Sequence, residues 1–155
     1  MATTIALPAD VGTLSGLVPI DYEESFAISI DSAMTPEQWA RLSLEQAPGW
    51  MRAVMVNGWP RLGIHLAPFG SGDAVLGWPI LHRDSSAIVI GVEASIGITA
   101  RIVIQTRPGR AVHSMVVRYD KPSGRLAWTR IAPPHRIFVR HLLDVAARTS
   151  SRRNL

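Results

Sequence analysis

The stretch YEESFAISI, residues 22–30, alternates regularly: Phe26, Ile28 and Ile30 fall on one side, and Ser25, Ala27 and Ser29 on the other. That period of two belongs to a half-buried strand. The pattern then changes. In MTPEQWARLSLEQAPGWMRAVMVNG the apolar positions recur at helical spacing, and Thr35 offers an N-cap, with Pro36 at the tolerated first position and Gln38 at the capping-box distance. Pro48 and Gly49 end this helix after Ala47. A second helix, carrying Trp50, Met51, Val54 and Met55, ends at Asn57-Gly58.

From Trp59 to Gly77 the chain is rich in proline and glycine and reads as a long loop, within which LGIHL could form a short strand. A run of strand patterns follows: WPILHR, AIVIGVEA, GITARIVIQTR, AVHSMVVRY and RLAWTRI. The separators DSS, PGR and DKPSG are too short for parallel crossovers, so the strands pair as antiparallel hairpins. Pro134 then opens a closing helix. Val145, Phe138, Leu142, Ala146, Val139 and Leu143 form its apolar arc, and Arg136, Arg140, Asp144, Arg148 and His141 gather opposite, with Arg140, Asp144 and Arg148 spaced for an i,i+4 ladder. A sheet buries one face, and the last helix is the only element large enough to cover it. The expected fold class is therefore α+β: a curved antiparallel sheet wrapped around a long C-terminal helix, with two short helices after the first strand. Residues 1–20 read as a loose N-terminal arm, 21–149 as the domain and 150–155 as a frayed tail.

With 155 residues, 47% of them hydrophobic, the chain suits one core. It has no cysteine, which excludes disulfides, thiolate nucleophiles and cysteine-based zinc sites and fits a reducing compartment. The start lacks a basic segment followed by an apolar run, and no window approaches a membrane span, so a cytoplasmic protein is expected. Residues 1–100 hold four arginines against ten acids, and residues 101–155 twelve basic residues against two acids. Such asymmetry can mark a nucleic-acid or membrane partner. Within one domain the halves can also pack and cancel, and the arginines are scattered over several elements without a stripe, so nucleic acid is not the expected partner.

The element order resembles the START-like superfamily, also called SRPBCC or polyketide-cyclase-like, whose fold is a helix-grip. The local text looks closer still to an uncharacterised bacterial family in that group. Three motifs carry the resemblance: Pro48-Gly49-Trp50-Met51-Arg52, Trp78-Pro79-Ile80-Leu81, and Pro133-Pro134-His135-Arg136-Ile137-Phe138-Val139, within a span of roughly residues 20–148. One segment departs from the family pattern, a strand running Gly-hydrophobic-Asp-x-His-Leu-x-hydrophobic-Arg. Here Glu93 stands for the Asp, the His is absent, and Arg101 persists. The resemblance implies a hydrophobic cavity between sheet and helix, used by different members for lipid transport, polyketide cyclisation or signalling. Fold alone does not choose among them.

Strand parity supplies the polar candidates. His113, Met115, Val117 and Tyr119 share a face, so His113 and Tyr119 look inward, whereas Glu93 opposes Ile88, Ile90 and Val92 and faces water. In RLAWTRI, Trp128 lines the cavity or caps its edge. On the closing helix His135 lies on the side of Phe138 and Leu142, with a neutral ring bonded to loop backbone as its ordinary reading. His141 lies about 240° away around the helix, too far to share a metal with His135. Gly70 and Gly72 lack a third glycine and a strand-to-helix setting, Ser95 is in no nucleophile elbow, and His65, His82 and His113 could meet only by folding. No metal or cofactor is expected. The reading is a carrier or binder of an apolar small molecule, contacted by His113, Tyr119, Trp128, His135, Phe138 and Leu142. A cyclase or isomerase using a cavity histidine is its rival, a basic-surface interaction protein comes third, and a homodimer is compatible with all three.

Overall fold

The computed structural model describes residues 1–31 and 33–155. Seven antiparallel strands form one curved sheet in the order β1-β2-β7-β6-β5-β4-β3. They are β1 (Thr3–Thr4), β2 (Tyr22–Ser29), β3 (Ala74–Val75), β4 (Trp78–Arg83), β5 (Ala87–Ala94), β6 (Ile98–Arg107) and β7 (Arg110–Tyr119). Helices α1 (Val11–Ser15), α2 (Pro36–Leu44), α3 (Gly49–Gly58) and α4 (Pro122–Arg153), with a 3-10 turn at Trp59–Leu62 where the sequence read as loop, complete the fold. The α+β class and the curved sheet with its long C-terminal helix agree with the sequence reading.

Alternation fixes which side chains face α4. The register sets Phe26 opposite His113, and His113 opposite Ile104, so the inner face carries Glu24, Phe26 and Ile28 of β2, His113 and Met115 of β7, and Ile98, Ala100 and Ile102 of β6. The capping box of α2 forms as read: the Gln38 amide donates to Thr35 Oγ1 at 3.1 Å, and the Thr35 amide to Gln38 Oε1 at 2.9 Å. The same helix secures the long loop after α3. Arg41 donates to the carbonyls of Ala74 (3.1 Å) and Gly72 (3.2 Å), and Glu45 accepts from the Leu76 amide at 3.1 Å. LGIHL supplies only an isolated bridge, Ile64 to Ala94.

Five readings are corrected. RLAWTRI is not a strand, because α4 begins at Pro122 and runs through it for 32 residues. Lys121 is extended, Pro122 takes the first turn, and the Asp120 and Lys121 amides both donate to the Gly97 carbonyl in the β5–β6 turn, at 2.8 and 3.2 Å. Docking there requires Gly124, since a Cβ at that position would sit 2.0 Å from the Gly97 oxygen. Pro134, read as opening the helix, and Pro133 before it lie inside it. They withhold two amides from the i→i−4 ladder, a cost of roughly 3 kcal/mol or more, set against burial of Trp128 and Ala132 before them and Val139, Leu142 and Leu143 after.

The N-terminal arm is not loose. It crosses the outer face of the sheet, where Val11 and Leu17 pack with Val89, Val103 and Val116 in a second apolar cluster. Each fully buried valine stabilises by roughly 1.5–3 kcal/mol. Residues 150–153, read as tail, belong to α4, and Ser150 is buried. Finally, Asp144 does not complete an arginine ladder: it accepts from the Ala2 amide at 2.6 Å, while Arg140 donates to the Ala2 carbonyl at 3.3 Å.

Candidate functional site

Between the inner face of the sheet, α3 and α4 lies a cavity of about 520 Å³, within the usual range for small-molecule sites. Its walls are almost wholly apolar: Ile98, Ala100 and Ile102 from β6, Met115 from β7, and Val139 and Leu142 from α4. Exposed Val54 and Arg61 mark where it meets solvent. Five of the six candidate residues, His113, Trp128, His135, Phe138 and Leu142, line it together. Tyr119 does not. It shares the inward face but lies at the end of β7, half-buried beyond the cavity wall. Trp128 reaches the cavity from the helix rather than from a strand.

The polar part of this wall is concentrated where β2, β7 and α4 meet. Glu24 is 6% exposed, and its Oε1 lies 2.7 Å from Nδ1 of His135, a contact not aligned as a hydrogen bond. Trp128 stands edge-on to both neighbours, with ring centroids 5.0 Å from His135 and 5.4 Å from Tyr22. The Arg136 guanidinium lies 6.0 Å from the Tyr22 ring centroid. Burial, reinforced by the neighbouring Glu24 charge, pushes the Tyr22 phenol up to about 12, so it stays protonated. Burial also pushes His113 down to about 3, with His135 adding repulsion, so His113 is neutral in the fold.

These groups share an unusual property. Both Glu24 oxygens, the Trp128 indole nitrogen and Nδ1 of both His113 and His135 are sealed from solvent without an aligned hydrogen bond. Buried polar groups are nearly always partnered, and exceptions call for a local reason such as catalysis or an absent ligand or water. Nε2 of each histidine is neither sealed in this way nor bonded to a described side chain.

The sequence reading missed Glu24. The signal was present, since Glu24 has the parity of Phe26 and Ile28 and therefore had to face inward with them. Glu93 is exposed, as its parity requires. His65 and His82 are exposed and apart from the cavity, His82 contacting Asp84 at 2.6 Å. Among the described residues no group of three or more His, Asp or Glu gathers that could hold a metal ion, and no helix is long and apolar enough to cross a membrane. No family model matches the chain, and no curated protein matches it.

Proposed function

We propose that this is a START-like, helix-grip protein that binds or carries an apolar small molecule, lipid-like or polyketide-like, between its sheet and C-terminal helix. One observation carries the reading: the cavity of about 520 Å³ with apolar walls on all three elements that bound it. Burying an apolar ligand there gains roughly 25 cal/mol per Å² of surface removed from water. His113, Trp128, His135, Phe138 and Leu142 are the contacts expected of such a ligand.

The direct test is titration with N-phenyl-1-naphthylamine, whose fluorescence rises in apolar surroundings, against the wild type and Ala100→Phe. Ala100 is 1% exposed and its methyl group faces the cavity, so the larger ring fills the space a ligand needs. Wild-type binding weakened at least about tenfold by the substitution is expected, a loss of about 1.4 kcal/mol. Equal binding by both proteins would place the dye elsewhere and remove the reading. Native mass spectrometry of protein purified from its own host would show the ligand's mass directly.

A further inference from the structure

We propose, resting on the binding reading above, that Glu24 and His135 form a proton-transfer centre in the cavity wall, with His113 as hydrogen-bond donor, acting at the carbon beside the carbonyl of an apolar ketone. The two histidines line one cavity, one from β7 and one from α4. Their surroundings set them to different tasks. The Glu24 carboxylate, 2.7 Å from Nδ1 of His135, favours a proton at that nitrogen and leaves the Nε2 lone pair free to accept. His113 has the reverse arrangement. Its Nδ1 is sealed and no acceptor reaches it, so the ring proton is better placed on Nε2, where a ligand oxygen can take the hydrogen bond. Burial keeps His113 neutral, and a neutral imidazole can polarise a carbonyl without surrendering its proton.

The step balances without a co-reactant. His135 Nε2 takes a proton from the carbon next to the carbonyl, the C–H electron pair forms a carbon–carbon double bond, and the carbonyl π pair moves onto oxygen. Nε2–H of His113 stabilises that oxygen. Return of the proton from His135 to the same carbon, or to a conjugated one, regenerates the carbonyl. Tyr22 from β2 and Arg136 from α4 are the other charged or titratable groups beside the pair. Glu24 acts here as a positioning residue, and the buried charge it costs is retained for the tautomer it sets. Among the described residues that line the cavity, His113 and His135 are the groups able to take up and return a proton.

The experiment follows hydrogen–deuterium exchange at C1 of 2-tetralone in D2O by proton NMR, with dye displacement as the measure of cavity occupancy. Wild type should exceed an equal concentration of free imidazole by about 100-fold or more, the usual reach of general acid–base catalysis. His135→Gln should fall to the imidazole background while still binding dye. Glu24→Gln should lose about tenfold or more, on the same scale, with dye binding intact and with the His135 nitrogen-15 signals moving from the Nδ1–H form towards mixed tautomers. The proposal is overturned if 2-tetralone displaces the dye from wild type yet exchanges at background, or if His135→Gln exchanges as fast as wild type. Should His135→Gln not fold, unchanged tautomers and exchange in Glu24→Gln would overturn it equally. If neither dye nor ketone binds, the cavity reading itself has failed and this proposal falls with it.

Discussion

The two faces of the sheet treat polar side chains in opposite ways. On the outer face Ser25 donates to Ser114 at 2.8 Å, Thr99 to Asp120 at 2.5 Å and Gln105 to Asp10 at 2.8 Å, around a close-packed cluster of Val89, Val103 and Val116. Arg101 is the exception in part, its Nε sealed while Nη1 donates to the Ala100 carbonyl. The inner face has a cavity of about 520 Å³ and, beside the Glu24–His135 pair, an indole and a second imidazole carrying atoms with no hydrogen bond. An unsatisfied buried polar group costs on the order of 1–3 kcal/mol. The outer face is thus built as a structural seam, and the inner face keeps buried polar atoms beside an apolar cavity.

The largest effect should come from breaking the outer seam. Val103 is fully buried there, and Val103→Asp strands a charge with no partner, for an expected loss of about 3–5 kcal/mol in urea unfolding. Acid should find the inner face next. His113 has a folded pKa of about 3 against an ordinary 6.5, so between those values the unfolded chain binds a proton that the fold refuses. Its contribution is complete above pH 6.5 and is lost as pH falls towards 3, by up to about 1.4 kcal/mol per unit. His113→Gln should flatten that part of a stability profile measured by denaturant titration at several pH values.

Replacing the inner pair outright should have the opposite sign. The double variant Glu24→Met, His135→Leu is expected to be neutral or more stable by about 1–3 kcal/mol, as when buried ion pairs give way to apolar side chains, with proton transfer lost. Marked destabilisation, read from the urea midpoint, would mean that the pair serves the fold and would dissolve the contrast between the faces. Asp10→Ala, which removes an exposed bond to Gln105, should change stability by no more than about 0.5 kcal/mol, since apolar packing holds the arm.

Periodicity made much of this legible. The alternation in β2, β5 and β7 separates inner from outer positions, and parity alone puts His113 inside and Glu93 outside. The wheel of residues 136–148 likewise put Val139, Leu142 and Leu143 on the buried arc. Glu24 shares the parity of Phe26 and Ile28, but a carboxylate is rarely buried unless paired, and its partner His135 lies more than 100 residues away. RLAWTRI misled for another reason: Leu126, Trp128 and Arg130 alternate by chance, and the double proline is a strong local start signal that tertiary packing overrode. The arm could not be read at all. Val11 and Leu14 are too few to show a period, and their partners on β5, β6 and β7 lie more than 70 residues away.

The paired imino residues at 133 and 134 have a consequence for motion. With two successive rungs missing, the terminal helix is mechanically two rods joined at a splice, one riveted to the β5–β6 turn through Gly97 and Gly124, the other bedded on the sheet and α2. His135 sits at that splice, so the site's imidazole follows directly on the two missing rungs.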